Sequence, residues 1–263
     1  MRIVSYRRDD GSARFGFVEA DLVLDAGTDL TELDRGPVVG TVDEVALLAP
    51  VPMPGKVICV GRNYAEHAAE TGSAVPDRPQ LFAKFANAIV GPRSNVILPT
   101  ITAALDYEAE LVAVIGRRAS RVPEARALDA VFGYTCGNDI SARDLQFDDT
   151  QWLRGKSLDT FAPIGPWITT ADEIPDPQTL GICCMVNGAV RQDDTTANMV
   201  FSVARIIAFI TEAITLEPGD VVFTGTPAGV GHGMTPPQYL AVGDTVRVEI
   251  DRIGALEHQI TAP

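Results

Sequence analysis

The chain of 263 residues is long enough for one large domain, or for one large and one small domain, with an extensive core. Hydrophobic residues make up 46% of it and charged residues 21%, which is typical of a soluble globular protein. The formal net charge of −14 argues against nucleic acid or an anionic membrane as a partner, because a basic binding surface is not expected against that excess.

The N-terminal part of the chain reads as a small β domain. Short strand patterns separated by Asp-Asp-Gly and Ala-Asp turns occur at Arg2–Arg7, Arg14–Glu19 and Leu22–Leu24. Leu30–Leu33 predicts one helical turn, and the proline-rich segment Val51–Gly55 is typical of a linker. We therefore predict a small N-terminal domain over residues 1–52 and a catalytic domain over residues 53–263.

The larger domain begins with a strand, a short helix and a loop. Lys56–Val60 predicts a strand that leads into Gly61-Arg-Asn-Tyr64, and Ala65–Glu70 predicts a short helix. The following segment, 71–79, is polar and interrupted by glycine and proline, so we expect an irregular loop or lid there.

The second half of the chain is dominated by strands. Ile182–Arg191 predicts a hairpin with a type I′ turn at Asn187-Gly188. Asn198–Ile214 carries apolar residues at helical spacing, and Pro218-Gly219 marks its end. Val221–Thr224 and Thr245–Asp251 predict further strands. One long helix among many short strands indicates a β-rich α+β fold and not a doubly wound sheet.

Gly225–Gly233 superficially resembles a dinucleotide-binding loop. Such a site needs a helix directly after the glycines, so that the N–H groups of its first turn meet the pyrophosphate. Here Met234-Thr-Pro-Pro237 follows, and this segment is not expected to begin a helix. We therefore predict no dinucleotide site, and the sequence contains neither a GxxxxGK[ST] phosphate loop nor a GxSxG elbow.

Two glutamates interrupt the apolar run Leu105–Ile115. Side chains alternate between the two faces of a strand, so Glu108 and Glu110 are expected to point the same way. Like charges on a half-buried face repel each other and are costly to desolvate. The pair is either solvated on an edge strand or held by a divalent cation.

Asp139 ends the strand pattern Val131–Asp139 about thirty residues later. An Asn-Asp ending is also compatible with a simple turn. Together with Glu108 and Glu110, however, it makes an all-oxygen set of the kind that suits Mg²⁺ or Mn²⁺.

Three further residues have an ordinary and a chemical interpretation. His67 and Glu70 are spaced i, i+3 on the short helix, so they form either a surface ion pair or a general base oriented by a carboxylate. Lys156 lies among large apolar neighbours and is either solvated or directed at a developing oxyanion.

Cysteine and histidine usage adds two expectations. The four cysteines lie in apolar, strand-like segments without CxxC spacing, so we expect reduced core thiols. The first residues lack the apolar stretch of a signal peptide, and no run of eighteen apolar residues occurs. We therefore expect a cytoplasmic protein without membrane partners. Only three histidines are present, which disfavours a histidine-rich zinc or iron site.

Taken together, these motifs resemble the fumarylacetoacetate hydrolase family, in its short bacterial form, from about residue 56 to residue 260. The resemblance is carried by segments that occur in the family's order, namely Gly61-Arg-Asn-Tyr64, His67-x-x-Glu70, Pro79-x-x-Phe82-x-Lys84, Glu108-x-Glu110, Asn138-Asp139, Arg143-Asp144-x-Gln146, Lys156-Ser157, Thr160-Phe161-x-Pro163-x-Gly165-Pro166 and Thr224-Gly225-Thr226-Pro227. It implies a mixed β-sandwich roll with a small N-terminal β domain, and a homodimer.

The resemblance also implies roles for individual residues. Metal ligands for one Mg²⁺ or Mn²⁺ per subunit would be Glu108, Glu110 and Asp139. His67 and Glu70 would activate water, and Lys156 would stabilise an oxyanion. Expected substrate contacts are Arg62, Tyr64, Lys84, Arg143, Gln146 and Thr226.

From this set the leading prediction is a metal-dependent hydrolase that cleaves a C–C bond in a small acylpyruvate-like 2,4-dioxo acid and leaves an enolate. The alternative on the same site is an isomerase or decarboxylase of 2-oxo or 2-hydroxydienoate acids, as in aromatic catabolism or oxaloacetate decarboxylation. A third interpretation is an inactive metal-binding scaffold, against which the retained His67, Glu70 and Lys156 argue.

Overall fold

Nineteen strands in three sheets build the protein, and the computed structural model describes all 263 residues. The strands are β1 (Arg2–Arg7), β2 (Ala13–Glu19), β3 (Leu22–Gly27), β4 (Val38–Thr41), β5 (Ala46–Leu48), β6 (Val57–Gly61), β7 (Gln80–Lys84), β8 (Ile89–Val90), β9 (Val96–Ile97), β10 (Leu105–Asp106), β11 (Ala109–Ile115), β12 (Val131–Asn138), β13 (Ser141–Ala142), β14 (Ala162–Thr170), β15 (Gly181–Val186), β16 (Ala189–Thr195), β17 (Val221–Phe223), β18 (Thr245–Ile250) and β19 (Gly254–Thr261).

The largest sheet has twelve strands, and its main path runs β4-β3-β2-β1-β14-β12-β11-β17-β6-β7, while β5 pairs with β1 and β8 with β14. A five-stranded sheet in the order β16-β15-β18-β19-β9 packs across β11, β12 and β14. Strands β10 and β13 form a small third sheet. These packed mixed sheets confirm the predicted β-rich sandwich.

The central strands are apolar because both of their faces are covered. Every residue of β11 is buried, and β12 beside it is buried except at Phe132. One large apolar cluster runs through both sheets and includes Leu111, Cys136 and Val248. Strands covered on both sides read as continuous apolar runs, which is why a carboxylate among them is conspicuous.

The α-helices are few and short: α1 (Ala65–Glu70), α2 (Arg143–Asp148), α3 (Leu153–Lys156) and α4 (Val203–Ala213). The 3₁₀ segments are Ala86–Ala88, Glu124–Ala130, Thr196–Asn198 and Gly231–Gly233. Helix α1 matches its prediction, and the segment 71–79 contains no helix or strand, also as predicted.

Helix α4 begins five residues later than predicted. The side chain of Ser202 caps it by accepting a hydrogen bond from Arg205 N at 3.1 Å. Just before this cap, Val200 N and Phe201 N donate to the backbone oxygen and the side chain of Asn63, both at 2.8 Å. These bonds to a distant turn hold a segment whose backbone is extended at Met199 and Ser202, with ψ values of 132° and 159°, so the helix begins only after Ser202. The predicted helical turn at 30–33 is a plain turn.

The predicted hairpin is confirmed. Asn187 and Gly188 have φ values of 52° and 77°, as a type I′ turn requires. All four cysteines are free thiols, but Cys183 is only half-buried, so the expected core position holds for the other three.

The N-terminal strands extend the large sheet. Strand β1 pairs with β2 along six residues and joins β14 through two residue pairs. Ile3 belongs to the main core, whereas Val4, Tyr6, Val18 and Val23 form a small cluster of their own. The domain boundary at residue 52 stays a prediction. No helix has the length and apolar character needed to cross a membrane.

Candidate active site

The pairing of β11 with β12 brings the carboxylates together. These strands are antiparallel, so the start of β11 lies beside the end of β12, with Ala109 opposite Asn138. The Asn138 side chain accepts a hydrogen bond from Glu108 N at 2.9 Å, and Asp139 N donates to Glu108 O at 2.9 Å. Residues 31 positions apart are thereby locked into one site.

Glu108, Glu110 and Asp139 form a buried acidic cluster. One carboxylate oxygen of each lies within 4.8 Å of the others, and none is more than 5% exposed. Burial and the nearby Asp139 and Glu108 raise the pKa of Glu110 well above its usual range. Its carboxylate accepts one hydrogen bond, from Gly225 N at 2.7 Å. A proton is therefore held more tightly at Glu110 than at an exposed glutamate.

Two lysines lie against Asp139. Lys156 Nζ is 2.8 Å from both Glu108 Oε2 and Asp139 Oδ2. Lys84 Nζ is 2.7 Å from Asp139 Oδ1, but it donates to the backbone oxygens of Ile140, Lys156 and Phe161 at 3.0, 2.5 and 2.7 Å. An ammonium has three hydrogens, and the three carbonyl oxygens accept all of them. Lys84 therefore compensates the negative charge of Asp139 without a hydrogen bond to Oδ1.

These contacts keep the buried charges paired. Burial tends to raise the pKa of Glu108, but Lys156 and Arg143 outweigh burial and hold that pKa below its usual range. Burial alone would lower the pKa of Lys156, yet Asp139 and Glu108 raise it. Lys156 is therefore a charged group in contact with two carboxylates of the cluster.

Arg143, at the start of α2, connects the cluster to the cavity. Its Nε donates to Asp106 at 2.8 Å, and its Nη1 donates to Glu108 at 2.7 Å and to Gln146 at 3.1 Å. Its Nη2 is buried and has no partner. Although burial acts to lower the pKa of Arg143, Asp106 and Glu108 raise it, so the guanidinium stays charged. An unpartnered cationic donor beside a cavity is suited to binding a carboxylate.

Helix α1 presents the His67–Glu70 pair. His67 Nδ1 lies 2.8 Å from Glu70 Oε1, and Glu70 Oε2 accepts a hydrogen bond from Gly229 N at 2.9 Å. His67 is 7% exposed, and its other ring nitrogen, Nε2, is the one free to act in the cavity. The carboxylate sets the orientation of the imidazole, as a general base requires.

The site surrounds a cavity of about 50 Å³. One water needs roughly 10–15 Å³ by the same measure, so the cavity holds a few waters or one small acid. Eight predicted residues line it: Arg62, His67, Glu108, Glu110, Arg143, Gln146, Lys156 and Thr226. The wall is completed by Val60, Gly61, Thr71, Ser73, Phe82, Phe147 and Trp152.

Four predicted site residues do not line the cavity. Glu70 supports His67, and Asp139 lies behind Lys156. Lys84 is buried against Asp139 and donates to backbone carbonyls, and its substrate contact stays a prediction. Tyr64 is also buried away from the cavity; burial raises the pKa of its hydroxyl, which has no hydrogen-bond partner.

Sequence reasoning missed Asp106. Its carboxylate accepts hydrogen bonds from Tyr107 N, Gly231 N, His232 N and Arg143 Nε at 2.7–3.0 Å. It therefore fastens the glycine-rich loop 225–233 to the cluster. The signal was available, because residues 106, 108 and 110 form one alternating acidic series.

Sequence reasoning also missed Gln192, which had no sequence signal. Its Oε1 accepts from Ala109 N at 2.9 Å, and its Nε2 donates to Thr226 Oγ1 and Pro227 O, both at 2.7 Å. It ties the start of β11 to the loop that supplies Thr226.

The donor set fits a hard divalent cation. All three close-set ligand groups are carboxylates, and Asp139 Oδ1 is a buried acceptor without a hydrogen-bond donor. Glu108, Glu110 and Asp139 would hold the ion. In the wall of the same cavity, His67 can move a proton and Arg143 can bind an anionic group.

Comparison with known proteins supports an enzymatic site. The family model described as fumarylacetoacetate (FAA) hydrolase C-terminal matches residues 56–261. Among curated proteins, the mitochondrial oxaloacetate tautomerase FAHD2A of Bos taurus is 46% identical over 219 residues, covering 82% of this chain and 70% of that protein. The mitochondrial oxaloacetate tautomerase fahd2 of Xenopus laevis is 45% identical over 230 residues, covering 87% and 72%.

Solved structures resemble the chain over its whole length. Fumarylacetoacetate hydrolase (EaFAH) from Exiguobacterium antarcticum has a TM-score of 0.89 and 41% identity, with 100% of both chains covered. The 2-hydroxyhepta-2,4-diene-1,7-dioate isomerase from Mycobacterium marinum has a TM-score of 0.87 and 37% identity, covering 100% of this chain and 98% of that one.

Proposed function

The chain belongs to the fumarylacetoacetate hydrolase family, and on that premise we propose that it is a divalent-cation-dependent tautomerase or isomerase of a small 2-oxo acid. Oxaloacetate is the first substrate to test, because curated relatives at 44–46% identity carry the name oxaloacetate tautomerase. The observation that carries the proposal is His67, which is oriented by Glu70 and lines a small cavity together with Glu108, Glu110 and Arg143, whose Nη2 has no hydrogen-bond partner.

Arg143 and Gln146 orient the substrate. The free Nη2 of Arg143 donates to the carboxylate next to the carbonyl, while its Nε and Nη1 stay anchored to Asp106 and Glu108. When held by the three carboxylates, Mg²⁺ or Mn²⁺ supplies Lewis-acid stabilisation of negative charge on the substrate oxygens.

His67 moves the proton. With Nδ1 held by Glu70, Nε2 takes a proton from the carbon next to the carbonyl. The C–H electron pair becomes the C=C bond, and the carbonyl pair moves onto oxygen. Lys156 lines the same cavity and would stabilise that developing charge, to which one well-placed donor contributes about 3 kcal/mol. Transfer of this proton from His67 to the oxygen gives the enol and restores the neutral imidazole, and the reverse sequence gives the ketone.

C–C bond hydrolysis of an acylpyruvate is the second candidate. It was the leading prediction from sequence, and it uses the same groups, with His67 Nε2 taking its proton from water. A solved relative named fumarylacetoacetate hydrolase, at 41% identity, favours keeping it under test. Decarboxylation of oxaloacetate would use the same bound acid without an attacking water.

The test compares these reactions on one preparation with added Mg²⁺ or Mn²⁺. Enol-oxaloacetate decay is followed by ultraviolet absorbance against buffer containing the same cation, and pyruvate release from oxaloacetate and acetylpyruvate is measured in parallel. Enol decay faster than pyruvate release supports tautomerisation, and Glu70→Gln should slow it by a factor of about 10² or more. Wild-type decay no faster than the buffer rate would refute the proposal.

We propose a homodimer with one cation per subunit on the family resemblance alone. A cytoplasmic location is proposed on the cysteines, all four of which are free thiols. Light scattering of the purified protein tests the dimer, since a monomeric mass would exclude it.

A further inference from the structure

Arg62 is the cation of the cavity wall that has no acidic partner. Arg143 and Lys156 also line the cavity, but both are paired with Glu108. Arg62 is half-buried and makes no ion pair and no side-chain hydrogen bond; its guanidinium lies over the Trp152 ring instead, 5.5 Å from the centroid. A positive group held this way is available to an anion that enters from solvent.

The Trp152 platform is itself fixed. Its ring packs edge-on against Phe82, with centroids 5.3 Å apart and planes at 71°. It also lies against Gly61, where a Cβ atom would come within 2.6 Å of the ring. Glycine at this position therefore lets the indole rest on the backbone beside Arg62. The surface on which Arg62 stacks is therefore already formed before a ligand binds.

The backbone of Arg62 adopts an unusual conformation. Its φ of 58° lies in the left-handed region, which residues with a Cβ rarely occupy. Asn63 holds this turn by donating to Phe201 O at 3.0 Å and Thr224 O at 2.7 Å. These tertiary hydrogen bonds maintain a strained backbone in the cavity wall. This indicates that the direction of the Arg62 side chain is important for the function of the site.

The aromatic pair connects Arg62 to the charges of the cluster through a series of contacts. Lys156 Nζ is 5.2 Å from the centroid of the Phe82 ring, Phe82 contacts Trp152, and Arg62 stacks on Trp152. An acid whose first carboxylate meets Arg143 can extend along this wall. Its far end would then approach Arg62.

We propose that Arg62, stacked on Trp152, binds the second carboxylate of the substrate, so that the site selects dicarboxylic 2-oxo acids over acids with an uncharged far end. This inference rests on the proposed function, because it assumes that the first carboxylate is bound at Arg143. Arg62 acts in binding and takes no part in proton transfer.

The experiment uses a matched pair of unreactive ligands in the presence of Mg²⁺. Malate has a carboxylate at its far end, and its 4-amide has a neutral group of nearly the same shape. Calorimetry at neutral pH gives the affinity of each ligand for the wild type, Arg62→Gln and Arg62→Lys. Arg154→Gln is the control, because it removes the same charge from an exposed arginine outside the cavity wall.

We expect the wild type and Arg154→Gln to bind malate about tenfold or more tightly than the amide, as for hydrogen bonds to a charged group. Arg62→Gln should bind the two ligands equally. Arg62→Lys should retain part of the preference, since it keeps the charge but loses the planar stacking.

Equal binding of both ligands by the wild type, binding of neither, or a preference that survives in Arg62→Gln would each overturn the inference. Oxaloacetate turnover is measured separately on the same proteins. Ligand discrimination without wild-type turnover would refute the proposed reaction and leave the role of Arg62 intact. Turnover without discrimination would refute the role of Arg62 and leave the proposed reaction intact.

Discussion

Replacing Asp106 by Asn tests whether the carboxylate that sequence reasoning missed holds the site together. One oxygen of Asp106 accepts from Tyr107 N and Gly231 N, and the other accepts from His232 N and Arg143 Nε. An Asn side chain has only one oxygen, so in either orientation its NH₂ group faces two donors. Two buried N–H groups lose their acceptor, and Arg143 loses one of its two anionic partners.

The magnitude follows from these losses. Each buried donor without an acceptor costs about 1–3 kcal/mol. Removing one charge of a buried ion pair costs about 3–5 kcal/mol when the remaining charge has no other partner. Because Glu108 still pairs with Arg143, we expect Asp106→Asn to lower the free energy of unfolding by about 3–5 kcal/mol. The Michaelis constant should also rise, because Arg143 is less firmly oriented.

Urea unfolding at equilibrium measures the stability loss, provided that the m-value is unchanged. The control is Asp144→Asn, an exposed carboxylate that accepts hydrogen bonds from Thr102, Ala103 and Leu145 and has no cationic partner. We expect that variant to lose about 1 kcal/mol or less. A loss below about 1 kcal/mol for Asp106→Asn would refute the argument that its four hydrogen bonds fasten the glycine-rich loop.

Three further outcomes are expected. His67→Ala should lower kcat by a factor of about 10² or more while calorimetric Mg²⁺ affinity is unchanged; parallel loss of both would contradict the division between base and ligands. Mg²⁺ or Mn²⁺ at 100 times its Kd should stabilise the fold by about 2.7 kcal/mol, seen as a higher melting temperature. Glu110→Gln should abolish most of that increase, and an unchanged increase would place the ion elsewhere. Burial lowers the pKa of His258 to about 3 from a usual 6.5. The unfolded chain therefore binds the extra proton, so stability is fully present above about pH 6.5 and falls as the pH drops toward about 3. Between about pH 7 and about pH 4.5, His258→Gln should lose about 2.5 kcal/mol less than the wild type in urea unfolding, and equal losses would exclude this cause.

Local patterns were sufficient for several elements of the fold. The Asn187-Gly188 turn, the short helix Ala65–Glu70 and the strand Arg2–Arg7 occur as predicted. Each depends on residues adjacent in the chain, such as the left-handed tolerance of Asn-Gly or the buried run Ile3–Tyr6 between two exposed arginines. The start of helix α4 was misjudged because its limit is set by bonds to Asn63, which is far away in sequence.

The sequence was likewise sufficient for some features of the candidate site and not for others. The sequence alone indicated which carboxylates were out of place in a buried run, and order and spacing pointed to His67 and Glu70. It did not show that Glu108 lies between Lys156 and Arg143, that Lys84 braces carbonyls behind Asp139, or that Asp106 and Gln192 fasten the glycine-rich loop.

The physical reason is that a side chain's type is local, whereas its partners are not. Composition and periodicity determine that an acid is buried, because burial is written into the neighbouring apolar residues. Which cation compensates that acid depends on strand register and loop packing across more than thirty positions, as between Glu108 and Arg143. The sequence by itself determined the β-rich fold and the kind of chemistry; the tertiary structure decided which groups are paired and which, like Arg62 and Nη2 of Arg143, are left free for a ligand.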